Sequence, residues 1–234
     1  MEKISDSTRL VLHRGLCEGA VENSVLAFKK ACISPAVWGV ETDIQFTADG
    51  KCVCFHDKNG KRLLGLKTII HDFKFEELKK LNITNFKEKI SSRVCSFKKY
   101  VKICKKYNKV CVVEFKYNFS DKQIAKALKI LKWHRYLKNS VLISFSKDIL
   151  IRLRKLLPNQ KLQLLVSNPM KRILNYCIKY NVDVSMMWRL VRKDTIKKFN
   201  NFGIGVSVWG VKGYNTAVKM VALGVESITT DKIM

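Results

Sequence analysis

Short apolar runs alternate with amphipathic segments along most of this chain. Segment 97–104 shows a helical pattern, because its apolar residues Phe97, Tyr100, Val101 and Cys104 recur at intervals of three and four. The apolar runs between such segments have the length of strands. Beyond the amino-terminal runs, we predict strands at 110–116, 140–145, 162–166, 182–186, 204–209 and 225–229, and helices at 121–132, 147–157, 170–180, 193–201 and 214–223.

Repeated strand–helix units predict a parallel sheet, and this many units predict a closed (β/α)8 TIM barrel. The first helix follows Asn23-Ser24, which has the composition of a helix N-cap. The length of 234 residues is that of one barrel, so residues 1–234 are interpreted as a single domain.

One segment after the second strand breaks the alternation. The apolar runs on either side of Asp49-Gly50 leave no room for a helix, and parallel neighbours need a crossover of about a dozen residues. Asp-Gly between strand-like flanks is a strong hairpin signal. With Asp49 and Gly50 as the two turn residues, Asp43 pairs with His56, and the hairpin returns His56 to the level of the carboxylates.

The segment at about 57–92 fits the barrel pattern poorly. It contains Gly60 and Gly65, a short helix signal at 75–81 and a loop-like stretch at 82–92. We interpret it as a small insertion above one rim of the barrel, a position from which such segments shape access to a site.

Polar side chains follow the predicted strands, where burial of a charge without compensation is costly. In a barrel the carboxyl ends of all strands meet at one rim, which is where working residues lie. The residues at these strand ends are His13, Arg14, Glu41, Asp43, His56, Glu114, Lys116, Trp209 and Asp231.

Glu41 and Asp43 are two residues apart, so both carboxylates point to the same face of a strand. Glu114, at the end of a later strand, can supply a third oxygen ligand. Three carboxylates suit a hard cation, Mg²⁺ or Ca²⁺. The alternative is that these carboxylates pair with nearby Lys or Arg on an exposed strand end.

Two of the four histidines, His13 and His56, end apolar runs beside this carboxylate cluster. A lone histidine in such a place is usually a hydrogen-bonded core residue, whereas two suggest an acid and a base. Arg14 and Lys116 add positive charge suited to a phosphate. A divalent cation, two histidines and two cations together describe phosphodiester chemistry.

Charge and cysteine content bear on the binding partners and on the cellular location of the protein. The net charge of +26 favours either a polyanion partner or a lysine-rich surface without a dedicated role. The lysines are spread in pairs on helix faces, so dedicated nucleic-acid binding is not expected. Eight cysteines in mostly apolar positions, with no signal peptide and no membrane-length apolar stretch, predict a soluble cytoplasmic protein with reduced thiols.

Taken together, the motifs resemble those of the glycerophosphodiester phosphodiesterases over residues 9–231. The matching segments are His13-Arg14-Gly15, Glu22-Asn23-Ser24, Glu41-Thr42-Asp43, Thr47-x-Asp49-Gly50, His56-Asp57, Glu114-Phe115-Lys116, Val208-Trp209 and Thr230-Asp231. The resemblance implies hydrolysis of a small-molecule glycerophosphodiester to glycerol 3-phosphate and an alcohol. It implies metal binding by Glu41, Asp43 and Glu114, acid–base catalysis by His13 and His56, and phosphate or substrate contacts by Arg14, Lys116, Glu22 and Trp209.

The chain departs from the family pattern after His56-Asp57, where it reads Lys-Asn-Gly-Lys-Arg, and after Trp209. Because these segments border the substrate, the alcohol group stays open. A lysophospholipase D-like activity at an anionic membrane surface, or a reaction that yields a cyclic phosphate, are enzymatic alternatives. A basic lipid- or nucleic-acid-binding module on an inactive barrel is the alternative from another class. The sequence leaves the oligomeric state open.

Overall fold

Parallel strands form a closed barrel, and helices pack around it. The computed structural model describes residues 8–169 and 172–233. The strands of this part of the chain are β1 Arg9–Leu12, β2 Val37–Phe46, β3 Cys52–Cys54, β4 Asn82–Asn85, β5 Ile90–Arg93, β6 Cys95–Ser96, β7 Val110–Phe115, β8 Ser140–Ser144, β9 Leu162–Val166, β10 Asp183–Met187, β11 Val206–Val211 and β12 Ser227–Thr230. The α-helices are α1 Val25–Ile33, α2 Lys61–Leu64, α3 Phe75–Lys80, α4 Phe97–Lys106, α5 Asp121–Trp133, α6 Lys147–Leu156, α7 Ile173–Tyr180, α8 Lys193–Asn200 and α9 Tyr214–Ala222, with 3₁₀ turns at Ile70–Asp72 and Trp188–Leu190.

Pairing of β1 with both β12 and β2 closes the barrel, in which the remaining neighbours follow the order β12, β11, β10, β9, β8, β7, β2. All of these pairs are parallel, which confirms the predicted (β/α)8 TIM barrel. The strands predicted at 204–209 and 225–229 begin two residues later than expected. The reason is that Ile204 and Val225 are apolar and buried although they precede the first paired residue of each strand.

Helix starts follow local capping chemistry. The Ser96 hydroxyl accepts a hydrogen bond from the Lys99 backbone N–H at the start of α4, and Ser120 and Gln123 form a capping box at the start of α5. Ser24 caps α1 by accepting from the Ala27 N–H. The predicted helix 170–180 is observed as α7 from residue 173, and residues 170–171 lie outside the described part of the chain.

The predicted hairpin after the second strand is present, but its register is one residue off. The Thr47 N–H donates to the Lys51 carbonyl over 3.0 Å, so the loop has three residues, 48–50, with Gly50 in the left-handed region at φ +72°. As a result Asp43 faces Phe55, whose N–H donates to the Asp43 carbonyl over 3.0 Å, and the predicted pairing of Asp43 with His56 is wrong. The return strand still delivers His56 to the rim.

Between β3 and β6 the chain builds a small unit with its own apolar cluster. The cluster is formed by Val21, Val53, Phe55, Leu63, Ile70, Leu78, Ile83 and Val94. The expectation that residues 82–92 form a loop is wrong, because β4 and β5 form a two-stranded antiparallel sheet there. Ile83 anchors this sheet in the cluster, and the Thr84 and Ser91 hydroxyls, 2.9 Å apart, pair across it.

Seven of the eight cysteines are buried, and Cys17 is half-buried. This burial agrees with the expectation that most of them act as small apolar core residues. Over residues 8–169 and 172–233, none of the helices combines the length and the apolar character needed to cross a bilayer.

Candidate active site

Three carboxylates converge at the carboxyl end of neighbouring strands. Glu41 and Asp43 lie on β2, and Glu114 lies near the end of β7, where it is in register with Asp43. One oxygen from each carboxylate lies within 4.8 Å of the other two. The residues are 2%, 0% and 7% exposed, respectively. The strand period of two therefore places both β2 carboxylates on the inner face, as the spacing predicts.

Burial and mutual repulsion make this cluster costly as three anions. Burial, and then the charges of Asp43 and Glu114, raise the pKa of Glu41 well above its usual range. Burial and the Asp43 charge raise the pKa of Glu114 to about 8. Burial also acts on Asp43, but Arg14, His56 and Lys116 together outweigh it and hold the pKa of this carboxyl below its usual value.

The cluster suits a hard divalent cation. Oε1 of Glu41 and Oε1 of Glu114 are buried and have no hydrogen-bond partner among the described residues. Carboxylate oxygens are the ligands that Mg²⁺ and Ca²⁺ prefer, and a cation between them would satisfy both atoms. The three residues are those selected from the sequence.

Both histidines of the rim are held by a carboxylate at the same ring nitrogen. His13 Nδ1 lies 2.8 Å from Asp231 Oδ1, and His56 Nδ1 lies 2.5 Å from Asp57 Oδ1. A carboxylate at Nδ1 fixes the tautomer and turns Nε2 toward the site. His13 Nε2 lies 4.0 Å from Glu41 Oε2.

The environment of His56 favours its neutral form. Burial lowers the pKa of His56, and the positive charges of Arg14 and Lys116 add to this effect, which exceeds the opposite influence of Asp43 and Asp57. A neutral imidazole with an engaged Nδ1 can accept a proton at Nε2.

Arg14 and Lys116 border the carboxylates from two sides. The Arg14 backbone N–H donates to Glu41 Oε2 over 3.0 Å, and its guanidinium donates through Nη1 to Glu22 Oε1 over 2.9 Å. Arg14 Nε lies 3.3 Å from Asp43 Oδ2, and Lys116 Nζ lies 3.4 Å from Asp43 Oδ1. Both cations therefore face the space next to the cluster, where an anionic group would lie.

A cavity of about 440 Å³ opens from the rim into the barrel. Its charged side is the carboxylate and histidine cluster, and the rest of its wall is mixed, with aliphatic Val112, Ile143 and Leu165 beside polar Gln163, Ser185 and Ser227. Trp209 packs edge-on against Phe145 at 5.9 Å, and its buried Nε1 has no hydrogen-bond partner among the described residues. Seven of the predicted site residues line this cavity: His13, Arg14, Glu41, His56, Glu114, Lys116 and Trp209. The other two adjoin it, because Asp43 belongs to the carboxylate cluster and Glu22 contacts Arg14.

The structure adds residues that the sequence reasoning did not assign to the site. Asn23 is buried, donates through Nδ2 to Asp43 Oδ2 over 3.1 Å and accepts from the Thr42 hydroxyl over 2.7 Å. Its place in the Glu22-Asn23-Ser24 motif was the available signal. Arg62 also reaches the site, from α2, with contacts to Glu22 and Asp57. Composition and spacing offer no signal for a contact made across a fold in the chain.

Comparisons with known proteins agree with this geometry. The sequence model of the glycerophosphoryl diester phosphodiesterase family matches residues 13–234. A glycerophosphodiester phosphodiesterase of Caldanaerobacter subterraneus is 24% identical over 232 residues, which cover 96% of this chain and 94% of the relative.

Solved structures share the fold over nearly the whole chain. The crystal structure of a glycerophosphodiester phosphodiesterase from Parabacteroides distasonis is 24% identical with a TM-score of 0.81, and the match covers 97% of this chain and 94% of that one. A phosphodiesterase of Oleispira antarctica, solved with the product sn-glycerol-3-phosphate, is 18% identical with a TM-score of 0.85. The match covers 95% of this chain and 92% of that one. The present chain therefore belongs to the glycerophosphoryl diester phosphodiesterase family of enzymes.

Proposed function

We propose that this chain hydrolyses glycerophosphodiesters to glycerol 3-phosphate and an alcohol, in a reaction that requires a divalent cation and uses His13 and His56 as acid and base. The observation that carries the proposal is the convergence of three buried carboxylates with two carboxylate-held histidines on one cavity. The Oleispira antarctica structure, which holds sn-glycerol-3-phosphate, supports the same product here.

Glu41, Asp43 and Glu114 would hold the cation. When bound, it would neutralise charge on the phosphoryl oxygens. The residues themselves keep its place fixed, because the Arg14 N–H and the Asn23 amide hold the Glu41 and Asp43 carboxylates. Carboxylate oxygens of this kind suit both Mg²⁺ and Ca²⁺.

Arg14 and Lys116 would bind the phosphodiester anion. A guanidinium can donate two parallel hydrogen bonds to phosphate oxygens, and the ammonium adds a point charge. The Trp209 Nε1 is a further donor at the cavity wall that lacks a partner among the described residues. These groups orient the phosphorus between the two imidazoles.

His13 and His56 would move the protons. With each Nδ1 engaged by a carboxylate, one Nε2 takes a proton from the attacking water and the other gives a proton to the departing alcohol oxygen. Such proton transfer contributes about 10²- to 10⁴-fold to a rate.

Phosphorus NMR of glycerophosphocholine incubated with the enzyme tests the proposal. Hydrolysis to glycerol 3-phosphate is expected with Mg²⁺ or Ca²⁺, with loss on EDTA and recovery on adding back the cation. Glu41→Ala and His13→Ala should each lose at least about a hundredfold in rate. His134→Ala, at the end of α5 and remote from the cavity, is the matched control and should keep full activity. Full activity in Glu41→Ala or His13→Ala would contradict the assignment.

A second activity, on lysophospholipids, is favoured by one observation. The cavity wall includes the aliphatic side chains of Val112, Ile143 and Leu165, and acyl chains prefer apolar surfaces. Lysophosphatidylcholine added to the same NMR assay should then release choline. A persistent cyclic phosphate product would show instead that a substrate hydroxyl acts as the nucleophile.

The charge of +26 supports peripheral contact with anionic membrane lipids. Trp133 is 77% exposed and shares a surface hollow with Lys129 and Lys132. Sedimentation with phosphatidylglycerol vesicles, but not with phosphatidylcholine vesicles, is expected at low salt and should weaken in Trp133→Ala. We place the enzyme in the cytoplasm, where its thiols would stay reduced.

A further inference from the structure

Arg62 makes three short contacts to two carboxylates at the mouth of the barrel. Its Nη1 and Nη2 donate to the two oxygens of Glu22, each over 2.7 Å. Its Nε donates to Asp57 Oδ2, also over 2.7 Å. All three nitrogens of the planar guanidinium therefore donate, an arrangement that the single ammonium of a lysine cannot reproduce.

Each of these carboxylates has a second partner within the candidate active site. The other oxygen of Asp57 holds His56 Nδ1 at 2.5 Å, and Glu22 Oε1 accepts from Arg14 Nη1 over 2.9 Å. One carboxylate therefore separates Arg62 from the histidine proposed to move a proton, and another separates it from the arginine proposed to bind phosphate.

We infer that Arg62 is a positioning residue that acts on both halves of the site: through Asp57 it holds His56, and through Glu22 it frees Arg14 for the phosphodiester. The inference rests on the proposed function, because it assigns Arg62 a role in that reaction.

The effect on Arg14 follows from charge. Glu22 is only 17% exposed, and its carboxylate lies next to the guanidinium that would bind an anion. Without Arg62, Arg14 alone would balance this charge, and the Glu22 carboxylate would compete with the phosphodiester for the same donors. With Arg62 in place, two guanidinium groups share one carboxylate.

The effect on His56 follows from geometry. Asp57 lies between the His56 imidazole and the Arg62 guanidinium, with one oxygen on each, so Arg62 fixes the carboxylate that fixes the imidazole. At metal sites the loss of an outer partner typically costs 10- to 100-fold in activity, and a loss of similar size is expected for this histidine.

The segment between β3 and β6 holds Arg62 in place. Helix α2 has only four residues, but Leu63, next to Arg62, is 4% exposed within the apolar cluster of this segment. Gly60 allows a close approach, since a Cβ there would lie 2.8 Å from Leu64 Cδ1. A segment that the sequence suggests only as an insertion thus contributes a side chain to the site.

Steady-state kinetics of the cation-loaded enzyme on glycerophosphocholine test the inference. Arg62→Gln should raise KM and lower kcat, each about tenfold. Asp57→Asn should lower kcat with KM within twofold of the wild type. The double variant Arg62→Gln/Glu22→Gln should recover the wild-type KM but keep the low kcat. Arg152→Gln, which loses two carboxylate partners on the outside of α5 and α6, is the matched control and should match the wild type.

A merely structural role for Arg62 would leave KM equally high in the single and double variants, and this result would overturn the inference. So would an Arg62→Gln enzyme within twofold of the wild type in both constants. If Arg62→Gln fails to fold, Arg62→Lys replaces it: the retained charge should keep KM near the wild-type value while kcat falls, and a raised KM would contradict the account.

A wild type that hydrolyses no diester would overturn the proposed function alone. The proposed effect of Arg62 on Arg14 through Glu22 would then be measured by calorimetric titration with glycerol 3-phosphate. Binding about tenfold weaker in Arg62→Gln and restored in the double variant is expected, and equal affinity in all three proteins would overturn the inference.

Discussion

Replacing the buried Glu114 carboxylate tests the electrostatics of the site without any substrate. Burial and the Asp43 charge raise the pKa of Glu114 from 4.5 to about 8. In metal-free protein the folded state therefore holds a proton there, over a pH range in which the unfolded chain has released it. The stability that this group contributes should be greatest at low pH and should fall as the pH rises through this range.

The size of the effect follows from linkage. A difference of one bound proton changes the free energy of unfolding by about 1.4 kcal/mol for each pH unit. Between pH 5 and pH 8 the loss is on the order of 4 kcal/mol, a large part of the roughly 5–15 kcal/mol of a typical domain. Glu41, whose pKa is also raised by burial, acts in the same direction. In Glu114→Gln the fall in unfolding free energy per pH unit should be smaller by the amount that one bound proton causes.

Urea unfolding of the two proteins, followed by tryptophan fluorescence at pH 5, 6, 7 and 8 in EDTA, measures the difference. Saturating Mg²⁺ or Ca²⁺ should reverse the trend in the wild type, because bound cation replaces the proton and binds more tightly as the carboxyls ionise. Parallel pH profiles for the wild type and Glu114→Gln in EDTA would refute this reasoning.

Three further substitutions test the local structure. Gly15→Ala should lower the thermal unfolding midpoint, because Gly15 has φ +87° and a Cβ would lie 2.7 Å from the Ala27 backbone; a midpoint equal to the wild type would contradict this. Asn23→Ala should cost about 1–3 kcal/mol of unfolding free energy in a urea titration, since the buried Asp43 loses a donor, and unchanged stability would exclude that role. Tyr100→Phe should cost about 1 kcal/mol by the same assay, because its hydroxyl donates to a buried β2 carbonyl over 2.6 Å.

The parts of the fold that depend on side-chain period were predictable from the sequence. Glu41 and Asp43 share a face because strand side chains alternate, and Glu114 reaches them because parallel strands end at one rim. The apolar spacing in segment 97–104 likewise identified α4, whose buried residues include Phe97 and Tyr100.

Features that depend on one residue of register or on distant contacts were not predictable. The hairpin at Asp49-Gly50 was expected with a two-residue turn, but Thr47 closes a three-residue loop through its backbone and its hydroxyl. The β4–β5 pair offers a single buried apolar residue, Ile83, which is too weak a pattern to indicate strands. Arg62 joins the site only because the chain folds back there, so no local signal marks it.

The charge balance at the mouth of the barrel is opposite to that of the whole chain. Among the described residues there, six carboxylates meet four permanent cations: Glu22, Glu41, Asp43, Asp57, Glu114 and Asp231 against Arg14, Arg62, Lys116 and Lys212.

With every carboxylate ionised, this site carries an excess of two negative charges, inside a protein of net charge +26. In the metal-free protein, bound protons reduce that excess, and this, together with burial, is why the pKa of Glu114 is raised. A divalent cation reduces it in the proposed working enzyme without occupying the histidines. An anionic phosphodiester is drawn in by the surrounding surface, but it can approach the carboxylates only after this neutralisation. Cation and substrate should therefore bind with positive coupling, each raising the affinity for the other.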